Sequence, residues 1–243
     1  FNRCSYCNFR LDPEADDSLT KSDLLDILKQ LDIERVAEIL VLSGEVHPES
    51  NRRIKWFTKV KEICELALSF GFLPHTNVGP LSWPEMEQLK KVNVSMGLML
   101  EQINPQFMQT VHKYAPSKEP KLRSQQLEWA GKLKIPFTTG ILLGIGETQS
   151  DIRDSLEEIA RIHQKWGHIQ EVILQPHSVG TKQVLNAPSF DPQQLPVIIA
   201  QAKMILPSEI AIQIPPNLVP DASFLLECLG AGATDLGGIS PID

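Results

Sequence analysis

The sequence is poor in cysteine, in basic residues and in long apolar runs. Four cysteines in 243 residues show no framework of the disulfides typical of secreted domains. Lys and Arg number 23 against 30 Asp and Glu, so the chain lacks the broad basic surface that neutralises nucleic-acid phosphates. No apolar run approaches the roughly 20 residues of a membrane span. These absences favour a small-molecule substrate, with no nucleic acid and no membrane, in the reducing cytoplasm.

The composition is that of a folded globular protein. Hydrophobic residues make up 42% of the chain and charged residues 22%, which excludes disordered and fibrous classes. The length of 243 residues is close to the roughly 250 typical of a (β/α)8 barrel. We therefore expect a single barrel domain over residues 1–243, truncated at both ends.

Apolar, β-branched segments alternate with helical periodicity along the whole chain. Strands are predicted at 38–42, 72–75, from 92 onward, 135–143, 171–174 and 210–214, and helices at 19–34, 54–70, 84–91, 121–133, 149–166 and 192–206. Apolar strands joined by helices indicate a parallel sheet covered by helices. The prediction is an α/β fold, a (β/α) TIM-like barrel whose first strand is missing from this fragment.

The most informative motif is Cys4-Ser-Tyr6-Cys7. Its spacing matches the last two cysteines of C-x-x-x-C-x-x-C, so we expect a cysteine immediately before Phe1. Three thiolates on a tight loop suit a [4Fe-4S] cluster with one iron open for a ligand. Two cysteines at this spacing are also typical of half a zinc site or a redox pair.

Unusual residues follow the predicted strands, where barrel enzymes carry their active residues. Ser43-Gly44-Glu45 follows the first predicted strand, Glu101 a later one, and Gly140 to Glu147 another. Each has a simpler interpretation, as a strand-to-helix turn or a solvated loop carboxylate. A phosphate loop is disfavoured because the Lys-Ser/Thr pair is missing.

Taken together, these motifs resemble the radical S-adenosylmethionine (SAM) enzymes. Ser43 stands where their Gly-Gly-Glu element has its first glycine. The resemblance implies that Cys4 and Cys7 ligate a [4Fe-4S] cluster whose open iron chelates SAM. It further implies that SAM lies against Tyr6, Ser43, Gly44, Glu45, Glu101, Gly140, Gly144 and Glu147.

A more specific resemblance covers residues 1–243. The strings at 75–77, 95–101, 135–148, 213–218 and 235–241 are similar to those of the 7,8-didemethyl-8-hydroxy-5-deazariboflavin synthase (CofG-type) family. This resemblance implies hydrogen-atom abstraction from the 4-hydroxybenzyl adduct of a ribitylaminouracil, then ring closure with loss of ammonia. It also implies a one-electron reductant such as ferredoxin or flavodoxin and a CofH-type partner enzyme.

Two other functions stay open. Another radical SAM reaction, such as a CofH-like condensation of tyrosine with a diaminouracil, would share every SAM motif. A non-enzymatic zinc or iron-sulfur binding module would need only the cysteines and upstream partners.

Proton transfer and substrate binding need further polar side chains at strand ends. The candidates for proton transfer are His75, His177 and Asp235. The candidates for substrate binding are Asn77, Gln175, Gln213, Asn217 and Gly238. Cys64 and Cys228 are expected as buried core thiols, and His47, His112, His163 and His168 as surface residues.

Overall fold

The computed structural model describes residues 1–7 and 19–237, and its centre is a parallel β-sheet. Within these residues the sheet has six strands in chain order, namely β1 (Glu38–Leu42), β2 (Leu73–Asn77), β3 (Ser95–Gly97), β4 (Phe137–Leu143), β5 (Ile169–Pro176) and β6 (Ala211–Gln213). The helices are α1 (Lys21–Gln30), α2 (Arg53–Ser69), α3 (Trp83–Leu89), α4 (Pro120–Lys132), α5 (Gln149–Trp166), α6 (Leu195–Ile205) and α7 (Ala222–Ala231). The predicted alternation of strands and helices is confirmed.

In helix α5, local sequence features fix where the helix begins, where it ends and which face is buried. Thr148 caps its first turn and forms a capping box with Asp151, and Gly167 ends it with a left-handed φ of 64°. Ile152, Leu156 and other residues at three- and four-residue steps are buried against the sheet. The predicted bounds of 149–166 are those observed.

Helix α7 was not predicted. Its sequence, ASFLLECLGA, is apolar on nearly every side and gives no 3.6-residue periodicity. The Asp221 side chain accepts a hydrogen bond from the Phe224 amide and so starts the helix. Leu226 stays 69% exposed, which shows how little of this helix is buried.

The sheet has an outer face against the helices and an inner face toward the barrel axis. In β5, Val172 and Leu174 are buried in the main core, while Glu171 and Ile173 alternate with them on the inner face. β1 and β6 form the two edges. The sheet is curled. Glu38 in β1 lies near enough to Glu171 in β5, four strands away in the sheet, for its charge to raise the pKa of Glu171.

Three of the four histidines expected on the surface are buried. The exposed fractions of His112, His163 and His168 are 1%, 5% and 8%, so that prediction is wrong for them, whereas His47 is exposed. Tertiary contacts explain two of them: His112 packs by Tyr6, and His163 Nδ1 accepts from the Ile169 amide. Cys64 and Cys228 are buried, as predicted. Among the described helices, none has both the length and the apolar character to cross a membrane.

Candidate active site

The cysteine loop is fixed by backbone hydrogen bonds. The Cys7 amide donates to the Cys4 carbonyl at 3.3 Å, closing a turn. The Ser5 amide donates to Val111, and the Ser5 carbonyl accepts from the amides of Val184 and Leu185. The loop is thereby held between two segments that follow different strands.

Both thiols of this loop are free of disulfides. Cys4 is 5% exposed, and burial raises the pKa of its thiol, which Lys118 partly offsets. Two soft sulfur ligands on one turn fit part of an iron-sulfur site. Within residues 1–7 and 19–237 no third Cys, His, Asp or Glu joins them to make a metal-binding group. The described residues therefore fit two ligands of the predicted cluster.

Tyr6 lies between the cysteines and an apolar cluster. It packs with Phe107, Leu142 and Ile145, and its hydroxyl lies 3.0 Å from His112 Nε2. Burial lowers the pKa of His112 to about 4, so this imidazole is neutral at pH 7. The aromatic ring predicted to lie against SAM is thus held in one orientation.

Glu45 is bound by protein donors on both carboxylate oxygens. Asn2 donates to Oε2 at 2.6 Å, Ser117 Oγ donates to the same oxygen, and Arg123 donates to Oε1 at 3.0 Å. Its carbonyl also accepts from the backbone nitrogen of Phe1. The predicted SAM ligand therefore ties the strand end after β1 to the cysteine loop.

Glu101 follows β3 with a left-handed φ of 69° and is 5% exposed. Lys118 donates to its carboxylate, and Arg123 lies 3.9 Å away. Burial alone would raise the pKa of Glu101, but the charges of Lys118 and Arg123 outweigh it, so the pKa is lowered. The carboxylate is ionised and charge-compensated.

Sequence reasoning missed the cations of this network. Arg123 is 1% exposed and donates to the carbonyls of Ser117 and Met99 as well as to Glu45. In the sequence it is one more basic residue of a polar helix, and Lys118 lies in a short loop. No local pattern distinguishes them, because their partners come from other strand ends.

The predicted glycines fall into two kinds. An added Cβ on Gly140 would lie 2.3 Å from the Ile173 carbonyl, and on Gly144, at φ +88°, 2.9 Å from Phe190. Packing already requires glycine at both positions, and their contact with SAM stays a prediction. A Cβ on Gly44 would meet nothing within 4 Å, so the protein leaves space there. Glu147 accepts from the amides of Gly144 and Ile145, which gives it a loop-holding role.

Two predicted proton-transfer histidines are buried on β2 and after β5. His75 Nδ1 lies 2.7 Å from Ser95 Oγ, and burial lowers its pKa to about 4. His177 Nε2 lies 3.0 Å from Gln183 Oε1. Because that amide oxygen only accepts, Nε2 carries the proton and His177 Nδ1 is a bare acceptor. Nδ1 is buried with no partner in the described residues.

The remaining candidates are spread over the strand ends. Asn77 and Gln175 are half-buried at the ends of β2 and β5, and Asn217 is exposed on the turn after β6. Gln213 and Asp235 lie side by side across a parallel bridge. Gly238 lies outside the described residues. Glu171, which sequence reasoning missed, accepts from Thr138 beside this bridge.

Comparison with known proteins decides the family. The radical SAM superfamily model matches residues 1–159. The 7,8-didemethyl-8-hydroxy-5-deazariboflavin synthase of Trichormus variabilis is 62% identical over all 243 residues, which span 72% of that protein. The corresponding synthase of a Synechocystis species is 57% identical and is covered to 78%. This chain belongs to the 7,8-didemethyl-8-hydroxy-5-deazariboflavin synthase family.

Solved structures support the fold of this synthase family member. The [FeFe]-hydrogenase maturase HydG from Carboxydothermus hydrogenoformans superposes with a TM-score of 0.80 at 22% identity, covering 97% of this chain and 55% of that chain. Methylornithine synthase (PylB) gives 0.76 at 13% identity, covering 97% and 67%. The fold is the barrel type of radical SAM enzymes, and family membership implies a [4Fe-4S] cluster and SAM.

Proposed function

We propose that this radical SAM deazaflavin synthase acts as a carbon–nitrogen lyase. Its substrate would be 5-amino-5-(4-hydroxybenzyl)-6-(D-ribitylimino)-dihydrouracil, and its products 7,8-didemethyl-8-hydroxy-5-deazariboflavin (Fo) and ammonia. The observation that carries the proposal is the match over all 243 residues at 62% identity to a deazariboflavin synthase, together with the cysteine loop beside the Glu45 and Glu101 network.

In this proposal the cysteine side of the barrel holds the cofactors. Cys4 and Cys7 ligate the cluster, which with SAM supplies the 5′-deoxyadenosyl radical when both are bound. Tyr6 packs by adenine, Glu101 and Glu45 accept hydrogen bonds from SAM, and Gly44 leaves space for close approach. Because Arg123 and Lys118 compensate both carboxylates, the site can stay ionised while closed to water.

The inner face of the barrel would bind the adduct. Asn77, Gln175, Gln213 and Asn217 are proposed to hydrogen-bond its uracil and ribityl groups. His75, His177 and Asp235 are proposed to move protons during ring closure. Burial keeps His75 neutral at pH 7, and His177 Nδ1, buried with no partner in the described residues, is free to contact the substrate.

The partners follow from the chemistry. A one-electron reductant such as ferredoxin or flavodoxin would supply the electron, and a CofH-type enzyme would supply the adduct. Thiolate ligands require a reducing setting, which makes the cytoplasm the proposed location.

The function is tested with anaerobically reconstituted holoenzyme, SAM and a reductant. One reaction receives the preformed adduct, and a second receives tyrosine plus the diaminouracil. Deazaflavin fluorescence is expected only from the first. Fluorescence from the second without a partner enzyme would favour a CofH-like condensation, and binding of zinc without iron or sulfide would favour a metal-binding module.

The SAM site is tested at Gly44. We expect Gly44→Ala to leave the free energy of unfolding within about 0.5 kcal/mol, because its Cβ meets no protein atom. SAM affinity, measured by equilibrium binding, should fall. The matched control is Gly230→Ala in α7, where a Cβ is also unobstructed. Unchanged SAM affinity in Gly44→Ala would remove Gly44 from the site.

A further inference from the structure

Glu171 lies on the inner face of β5 with two hydrogen-bond donors on one oxygen. Thr138 Oγ1 donates to Oε2 at 3.2 Å. In the orientation that satisfies its own hydrogen bonds, the Gln213 amide nitrogen donates to the same oxygen at 3.3 Å. These donors fix Oε2 as the acceptor oxygen, which leaves Oε1 as the atom that can carry a proton.

Asp235 is held beside Glu171 by the same glutamine. Gln213 and Asp235 form a parallel bridge, and the Gly237 amide donates to Asp235 Oδ1 at 2.9 Å and to the Gln213 oxygen at 3.1 Å. Gly237 has φ +75°, and an added Cβ would collide with the Gln213 side-chain amide. The segment is thus closely packed, and it places a second carboxyl within hydrogen-bonding reach of the first.

The charges that act most strongly on Glu171 are both negative. Burial raises the pKa of Glu171 to about 7, with further contributions from Asp235 and, across the barrel, from Glu38. Thr138 in β4 and Gln213 in β6 are neutral. A second carboxyl beside Glu171 disfavours its ionised form, so Glu171 keeps its proton up to about pH 7.

A third polar group on this face, His75, has one ring nitrogen without a hydrogen-bond partner among the described residues. His75 is 6% exposed, and hydrogen bonding through Nδ1 to Ser95 leaves Nε2 without a partner among the described residues. Nε2 lies 2.7 Å from the position a Cβ on Gly97 would take, and Gly97 pairs with Thr138. The open imidazole nitrogen and the two carboxyls therefore flank the same stretch of inner face, over Gly97 of β3, which carries no side chain.

We propose that Glu171, held beside Asp235, is the acid that gives its proton to the amine nitrogen that leaves the adduct as ammonia. The inference rests on the proposed function. In this step the carbon–nitrogen bond breaks with its electron pair on nitrogen, and the proton passes from Glu171 Oε1 to that nitrogen. The electron pair of an adjacent carbon–hydrogen bond forms the new C=C bond, and the proton of that bond passes to water. Glu171 is left as a carboxylate, which takes up a proton from water.

The test compares Glu171→Gln and Asp235→Asn holoenzymes with Glu62→Gln, a control on the exposed face of α2. The yield of Fo and of ammonia per 5′-deoxyadenosine formed is measured from about pH 5.5 to about pH 9. We expect the wild-type yield to fall above about pH 7 as Glu171 loses its proton. Glu171→Gln should still form 5′-deoxyadenosine, but its Fo yield should drop about 100-fold and lose this pH dependence. Asp235→Asn should move the fall to lower pH, and the control should match wild type.

A second readout does not depend on turnover. Infrared difference spectra of the holoenzyme against pH should show a protonated carboxyl band that titrates near pH 7 and is absent in Glu171→Gln. This band decides the matter if Glu171→Gln fails to cleave SAM. An unchanged Fo yield in Glu171→Gln, or no such band in wild type, would overturn the inference and leave the proposed function intact. If wild type makes no Fo from the adduct, the proposed function fails, whatever the band shows.

Discussion

Glu101 and Glu171 are inward carboxyls of the same barrel, yet their pKa values move in opposite directions. Glu101 is the more buried, at 5% exposed, and its pKa is lowered. Glu171 is half-buried, and its pKa is raised to about 7. Burial acts in the same sense on both. The difference comes from their neighbours, which are Lys118 and Arg123 for one and Asp235 for the other.

The comparison separates two tasks within one fold. Beside the cysteines, every carboxylate has a cation, which suits binding of a charged cofactor without proton exchange. Deeper on the inner face, carboxyls face each other, which suits holding a proton. Partner charge, more than burial, therefore assigns the role of a carboxyl here.

The largest expected effect comes from removing the cation. Arg123→Met should lower the free energy of unfolding by about 3–5 kcal/mol, because two carbonyls lose their donor and the half-buried Glu45 and buried Glu101 lose a neighbouring cation. Urea denaturation measures this. Arg161→Met, which breaks exposed pairs with Glu128 and Glu158, is the control and should cost less than about 1 kcal/mol. Equal losses of unfolding free energy in the two variants would mean that the buried contacts of Arg123 stabilise the protein no more than the exposed ion pairs of Arg161.

A smaller effect is expected for Glu101→Gln. It should cost about 1–3 kcal/mol at pH 7, because Lys118 loses its charged acceptor. The folded pKa of Glu101 lies below the unfolded value of 4.5, so the stabilisation is present above about pH 4.5 and lost as pH falls through the folded pKa. Denaturation curves of the variant and wild type should therefore converge in acid. A loss that stays constant with pH would contradict this account.

The smallest expected effect has the opposite sign. Glu171→Gln mimics the protonated acid, so it should stabilise the protein at pH 8 by about 1 kcal/mol after allowance for solvent screening. The raised pKa means that stability is full below about pH 4.5 and is lost as pH rises through about 7. In thermal denaturation, the stability that Glu171→Gln gains over wild type should thus vanish near pH 5. If Glu171→Gln were less stable than wild type at pH 8, the difference inferred between Glu171 and Glu101 would be wrong.

Much of the fold could be predicted because periodicity is local. The pattern of α5 gave its bounds, and the apolar runs of β1 and β5 gave strands of the parallel sheet. Helix α7 escaped because an apolar sequence has no stripe to detect. His112 was misplaced because a polar residue between turns says nothing about the Tyr6 ring that encloses it.

The sequence by itself determined the spacing of the cysteines, the order of strands and helices, and the residues at the strand ends. The resemblance carried by those motifs agrees with the family shown by comparison. Only the tertiary structure decided which charges meet, because Glu101, Lys118 and Arg123 converge from separate segments, as do Glu171 and Asp235. Electrostatic interaction depends on distance in space and on solvent access, and neither is written in local sequence.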